Sequence, residues 1–558
     1  MLMDRLARYL PLVLLLATAC ARVPHDPTPA LERRPGFEML TGPAAQERAR
    51  ERLTVIAADD MEGREATTEG ERRAAAYLAE QLERAGVEPG GDLEDGRRSY
   101  FQRFALETVR FVPEATRLVV HGDDTGPLRL GRDWLAMPSY VQSMRHDTLA
   151  VVFAGYGLTV PDHGHDDYAG LDVAGKLVVV VGGKPAGIDS LRFPFATMAA
   201  DNFQAKWVTA MQHGAAAVLF ADDPFFEDNW GAFEAIAGNL SMHPPGAQQQ
   251  MPPVPFLAVS DAQAPTLLAA LGVPESVPAA AADGAPVETF ETTRTMGLAL
   301  QVERAEAEAR NVVGYLPGTD RAGEYVAFGA HYDHQGVVDG EVYNGADDDG
   351  SGTVAVLNVA EAFAADRAAG QPTRRSLLFV FHTAEEKGLL GSEFFAANPE
   401  ASVAGDIANV VAQINMDMIA REHPDSLYVV GAYRLSTPFG ERVDRINAQL
   451  GADGAPLFHF NRTYDDPNDP ENIYERSDHY SYAKRGVPIV FFTDGMGANW
   501  RKNTETDDYH RPTDDVEKID FGKLTRTARL VYAIGRTTAD AAVRPPLDAP
   551  ADADAAAK

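Results

Sequence analysis

A chain of 558 residues has the length of roughly three or four domains. Its 45% apolar and 9% aromatic content excludes wholesale disorder and collagen-like repeats. A formal charge of −32 leaves no basic footprint for nucleic acid and reads as a source of solubility. Cys20 is the single cysteine, so the chain offers neither an internal disulfide nor a cysteine-ligated zinc site.

Residues 1–20 carry Arg5 and Arg8 ahead of a short apolar run over 10–17, too short to span a bilayer. Ala17, Thr18 and Ala19 then lead into Cys20. This segment resembles a bacterial lipoprotein signal, which implies lipid attachment at Cys20 and export to the cell envelope, lipid-anchored or periplasmic. The membrane is then reached only through that anchor. Ala17 stands where such signals usually have leucine. Residues 21–44 are rich in proline and charge and read as a tether.

Between 46 and 86 the pattern is helical; Ala75, Leu78, Ala79 and Leu82 share one face, and Gly86 ends the run. A strand is expected over 101–106. From 121 to 294 short Val-rich strands recur, at 149–154, 176–182, 216–221 and 254–259, with one helix over 203–213. His163 and His165 in this stretch read as part of a polar turn. From 311 the pattern alternates. Strands are expected at 325–330, 376–381, 408–415, 426–430 and 487–493, and helices at 352–368, 391–395 and 437–450. The fold class is therefore α/β, a mostly parallel mixed sheet sandwiched by helices, with an inserted β-rich domain. Residues 541–558 read as a disordered tail.

Chemistry-bearing residues gather just past the ends of these strands, where open α/β sheets bind ligands. The clusters are Ala330-His331-Tyr332-Asp333-His334, Gly345-Ala346-Asp347-Asp348-Asp349-Gly350-Ser351-Gly352, His382-Thr383-Ala384-Glu385-Glu386, Asn415-Met416-Asp417 and Tyr509-His510. Histidine and carboxylate without cysteine suit hydrolytic zinc. Crowded carboxylates repel one another unless cations neutralise them, and two divalent ions sharing one carboxylate would account for the number. Two ions also suit hydrolysis, by activating a water and steadying an oxyanion. One glutamate of the 385–386 pair can then bind metal while the other moves the proton.

In order and spacing these clusters resemble the di-zinc aminopeptidase family that includes bacterial leucyl aminopeptidase, aminopeptidase Y and glutamate carboxypeptidase. The resemblance spans 45–120 and 295–540 and adds Met61-Glu62-Gly63-Arg64, Asn311-Val312-Val313-Gly314 and Ser477-Asp478-His479-Tyr480. It implies two Zn2+ per chain. His331 and Asp417 would hold one, Glu386 and His510 the other, and Asp348 would bridge them. It makes Glu385 the general base and gives Tyr509 to the oxyanion. Asp349 follows a cis peptide in the family, and Asp333 would orient the His331 ring. Asp514 and Asp515 are candidates to orient His510, and 458–476 to form a pocket wall. His334, His382 and His479 read as residues that support the ligands from behind or pack the loops. Phe153-Ala154-Gly155-Tyr156-Gly157 resembles a protease-associated domain, which would be the insert.

The activity implied is an exported zinc metallopeptidase, an aminopeptidase acting on peptides with a free N-terminus. Alternatives on the same fold are a carboxypeptidase, for which Arg421, Arg462 and Arg476 are candidate carboxylate readers, a glutaminyl cyclase-like acyltransferase with one zinc, and a non-catalytic receptor-like homologue. The full ligand set argues against the last two.

Overall fold

The computed structural model describes residues 31–548, apart from 123–125, 139–140, 194–196, 232, 234–236, 238–239, 248–253, 339, 470–471 and 495–507. Cys20 and the signal segment lie outside these residues, as does 549–558.

Two sheets organise the chain. The larger is built with the helices α1 (Pro43–Ile56) and α2 (Glu69–Ala85), the strands β1 (Phe101–Phe111), β2 (Ser241–His243), β3 (Val302–Leu316) and β4 (Arg321–His331), and helix α3 (Gly350–Ala368). The strands β5 (Arg375–His382), β6 (Val410–Met416), β7 (Ser426–Val430), β8 (His459–Asn461) and β9 (Ile489–Thr493) follow, and helix α4 (Phe521–Ala539) closes it. Spatial order is β2-β1-β3-β5-β4-β6-β9-β7-β8, with the short Glu88–Pro89 strand also on β3. The sheet is mixed, as expected, but parallel pairing is confined to the central run β5-β4-β6-β9 and the edge pair β7-β8. The other pairs are antiparallel, and the longest of them is the β1–β3 ladder from Phe101↔Val312 to Phe111↔Val302.

Alternation along β5 explains why helices cover both faces. Leu377, Phe379 and Phe381 point into the cluster formed with α3 and α4, while Leu378 and Val380 enter a second cluster with Phe395 and Tyr482. Helix α2 starts at Thr68, whose hydroxyl accepts from the Glu71 N–H, and ends at Gly86 in the left-handed region.

The insert is a second, eight-stranded sheet whose four central strands, Met144–Phe153, Leu177–Val181, Ala217–Ala221 and Phe256–Val259, run parallel. Its edge includes Arg117–Val120 and Phe290–Leu300. The expected boundaries at 120 and 295 therefore fall within or at the end of its strands, and the body runs from 117 to 300. It also gives back one strand, because β2 pairs with β1 at the edge of the larger sheet.

Two expectations are corrected. Residues 31–44 are no tether: Leu31, Phe37 and Leu40 are buried in the main core, and the Gly36 N–H donates to Asp366 Oδ1 at 2.9 Å. The segment is rich in proline and charge, but its large apolar side chains Leu31, Phe37 and Leu40 face inward. The described part of the expected tail, 541–548, is also folded. Arg375 Nη1 donates to the Ala541 carbonyl at 2.7 Å, and Asp548 Oδ2 accepts from Thr437 N–H at 2.7 Å, at the start of the helix Thr437–Gln449.

The first correction is testable. Phe37→Ala is expected to destabilise the protein by about 3–5 kcal/mol, as deletion of a buried aromatic does. An unchanged urea midpoint would return 31–44 to the status of a free tether.

Candidate metal centre

The site forms where the central strands end. His331 closes Arg321–His331, His382 closes Arg375–His382 ahead of Glu385, and Asp417 follows Val410–Met416. Asp348 precedes the helix Gly350–Ala368, and Asp349 caps that helix by accepting from the Gly352 N–H at 2.9 Å. The Asp348–Asp349 peptide is cis. His510 comes from the segment before the last helix.

These side chains converge around Asp348, which is 3% exposed. Its Oδ1 lies 3.4 Å from His331 Nε2, and its Oδ2 lies 3.3 Å from His510 Nε2. On the His331 side, Asp417 Oδ1 is 3.5 Å and Glu385 Oε2 is 3.9 Å from the imidazole. On the His510 side, Glu386 Oε2 is 2.9 Å from Nε2. Two groups of donor atoms thus have the closeness of a metal shell: His331, Glu385 and Asp417, and His334, Asp348 and Glu386. The fit to cations is supported by Asp348 Oδ2 and Asp417 Oδ1, both buried without an aligned hydrogen-bond donor. The donor set is nitrogen and oxygen, that of hydrolytic zinc.

Electrostatics agree. Burial chiefly, together with Asp417 and Glu386, holds the Glu385 carboxyl well above its usual range, with His331 opposing. Burial would raise Asp348 too, but His331 and His510 outweigh it and hold it well below the ordinary range. Burial lowers His510, yet Glu386 and Asp348 overcome this and keep it at about 10. The cluster thus favours positive charge at this place, from protons or from cations.

The surrounding residues fix the geometry. Ser477 Oγ donates to Asp417 Oδ2 at 2.7 Å, and Gln335 Nε2 to Glu386 Oε2 at 2.7 Å. Asp349 accepts from the N–H groups of His331 and Met418. Asp333 acts differently from expectation. Its backbone carbonyl is the atom 3.2 Å from His331 Nδ1, while its carboxylate, 3.8 Å from that nitrogen, accepts from the Glu385 N–H. Asp514 does not orient His510; its carboxylate accepts from the Asp347 and Asp348 N–H groups and pairs with Arg421. Asp347 accepts from the Ala420 N–H, a loop role.

Tyr509 stacks on His510, with centroids 3.9 Å apart, and its hydroxyl lies 3.5 Å from Arg476 Nη2. Both residues line a cleft that opens from the carboxylates. Arg476 is the member of the expected wall that lines it; Arg421 is engaged by aspartates and Arg462 by Asp444. His382 and His479 pack as expected, against Tyr482 and Phe491. His334 takes the supporting role that the same reading included: its Nδ1 is 2.8 Å from Glu386 Oε1. The close spacing of His331 and His334 was the available signal. Gln335 gave none, and Ser477 stood in a motif of the resemblance without a role of its own.

Residues 311–535 match the model of peptidase family M28, which bears out the resemblance for that part of the chain. A probable leucine aminopeptidase of Arthroderma benhamiae is 30% identical over 227 residues, 39% of this chain and 54% of the relative. Aminopeptidase Y of Saccharomyces cerevisiae is 29% identical over 218 residues, 38% of this chain and 36% of the relative. The chain spans about half or less of the length of these curated relatives. Among solved structures, an aminopeptidase from Aneurinibacillus sp. strain AM-1 superposes with a TM-score of 0.58 at 19% identity, over 92% of this chain and 98% of the other. A zinc aminopeptidase from Bacillus subtilis gives 0.53 at 18%, over 88% and 94%. The fold is that of these proteins.

A histidine must be neutral to ligate a metal, so metal uptake through His331 and His510 would displace the protons that the neighbouring carboxylates favour on them. Zinc titrated into metal-free protein at pH 7 is expected to release protons, seen as a dependence of the calorimetric heat on buffer ionisation enthalpy. Affinity should rise with pH, because Glu386 and Asp348 hold the His510 proton well above the usual imidazole range. Zinc uptake with no proton release would contradict this charge balance.

Proposed function

We propose that the chain is a zinc-dependent metallopeptidase, specifically an aminopeptidase that removes N-terminal residues from peptides. The observation that carries the reading is the Asp348 carboxylate with one oxygen toward His331 and the other toward His510. His331 and Asp417 are assigned to one zinc, Glu386 and His510 to the other, and Asp348 to both. Bound there, two zinc ions would supply Lewis acidity and positive charge opposite a developing oxyanion.

The chain's own residues do the rest. Glu386 is engaged by His334, Gln335 and His510, which leaves it the anchoring role. Glu385 lines the cleft and is the group placed to take a proton from the attacking water and return it to the leaving amine. The Tyr509 hydroxyl, also on the cleft wall, can donate to the oxyanion. Aminopeptidase polarity draws on the names of the relatives. Arg476 in the cleft favours a second reading, a carboxypeptidase that grips a terminal carboxylate. A panel of free-amine, N-blocked and free-carboxylate peptides separates the two. Export and lipidation at Cys20 belong to the same proposal, as does a protease-associated identity for the insert.

Elemental analysis should find about two zinc ions per chain, as in co-catalytic sites. Glu385→Gln should lower kcat by about 10²–10⁴-fold with KM nearly unchanged and zinc retained, while Glu386→Gln should lose zinc. The reverse pattern would exchange the two roles, and full peptidase activity in both variants would refute the site.

Labelling with palmitate should tag the wild-type protein in a bacterial host and fail in Cys20→Ala. Unlabelled wild type recovered free in the periplasm would refute the anchor.

A further inference from the structure

Arg64 has no exposed surface, and none of its hydrogen bonds goes to a carboxylate. Its guanidinium instead spends four of its five N–H donors on backbone carbonyls. Nε donates to Tyr332 at 2.7 Å, Nη1 to Ile56 at 2.9 Å and Asn344 at 2.6 Å, and Nη2 to Gly345 at 2.9 Å. Tyr332 follows His331, and Gly345 opens the loop that carries Asp348. One planar group therefore ties together the two loops that supply the His331–Asp348 pair.

The neighbours of Arg64 extend the tie. Glu65 Oε1 lies 2.8 Å from Lys387 Nζ, next to Glu386 on the third loop. Glu71 Oε1 accepts from the Tyr332 hydroxyl at 2.6 Å, beside His331 again. Gly63 is packed so closely that a Cβ would lie 2.3 Å from the Gly336 carbonyl and 2.6 Å from that of Tyr343, at φ +59. Arg64 itself holds φ +51, uncommon outside glycine and the kind of outlier found at functional sites. All of these residues precede 311–535, the stretch that matches the peptidase family.

We propose that Arg64, seconded by Glu65, is a positioning residue of the metal centre: the N-terminal segment 63–71 clamps three of the ligand-bearing loops, those of His331 and Asp348 by their backbones and that of Glu386 through the Lys387 side chain, and sets the spacing of the ligand atoms. The planar fork is required, because the compact ammonium of lysine has three donors and cannot span carbonyls from three segments at once. A positive charge at this point also offsets part of the repulsion among the buried aspartates. The inference rests on the metallopeptidase reading, since it is the ligand geometry that the clamp serves.

The test uses full-length protein freed of metal, with zinc affinity measured by competition against a chromophoric chelator and stability by urea unfolding of the metal-free form. Arg64→Lys is expected to weaken zinc binding by about 10–100-fold, the range for partners that orient metal ligands. Arg375→Lys is the control: Arg375 is equally buried and also donates to backbone carbonyls, of Thr538 and Ala541, at the opposite end of the strand Arg375–His382. It should lower the urea midpoint and leave zinc affinity at the wild-type value. Glu65→Gln breaks a partly exposed pair and should fold normally while shifting zinc affinity in the direction of Arg64→Lys; it decides the matter if Arg64→Lys fails to fold. Wild-type zinc affinity in folded Arg64→Lys, or in Glu65→Gln where only that variant folds, overturns the inference. So does an equal loss of affinity in Arg375→Lys. A wild type that takes up no zinc overturns the metallopeptidase reading itself, and is thereby distinguished from failure of the clamp alone.

Discussion

The structure depends on a buried crowd of carboxylates. Asp333, Asp348, Asp349, Asp417, Glu385 and Glu386 meet at the end of one sheet with His331, His334 and His510 among them. Like charges at such separations in a medium of low dielectric cannot all ionise without cations or protons to balance them. Without a cation the imbalance falls on protons: Glu385 is pushed up, and His331 and His510 are held charged. The surrounding architecture keeps these groups together despite that repulsion.

It does so through backbone. Loops that leave parallel strands at one edge have N–H and C=O groups to satisfy, and here those groups are bound by charged side chains from elsewhere in the chain. Asp514 takes the Asp347 and Asp348 N–H groups, Asp349 takes those of His331, Gly352 and Met418, and Asp333 takes that of Glu385. Arg64 takes the carbonyls. Hydrogen bonds to charged groups are stronger than neutral ones, so the His331 and Asp348 loops are fixed from both polar ends of their peptide units.

The insert is joined to this assembly by more than its two connecting strands. Ser241–His243 extends the larger sheet, and Met242 enters a small apolar cluster with Ala66, Phe104, Leu106 and Ala384, the residue before Glu385. Arg304 binds Glu107 at 2.7 Å and the Val141 carbonyl at 2.9 Å across the same seam. The second sheet is therefore packed into the larger sheet near the Glu385 loop.

By itself the sequence determined what depends on local pattern and residue type. Strand cores such as Ser426–Val430 and helices such as Gly350–Ala368 were legible from periodicity, and the five clusters stood out because histidine and carboxylate at strand ends have no packing role to explain them. The tertiary structure alone decided which atoms meet. Asp333 differs from expectation because its carbonyl, not its carboxylate, reaches the His331 ring, a matter of one loop's path. Asp514 turned to the Asp347–Asp348 backbone, His334 turned to Glu386, and Arg476 rather than Arg421 faced the cleft. Residues 31–44 entered the core although composition marked them as a tether, because three apolar side chains found partners far along the chain. Composition and spacing report what a segment can offer; long-range contacts, which close only when the whole sheet has formed, choose among those offers.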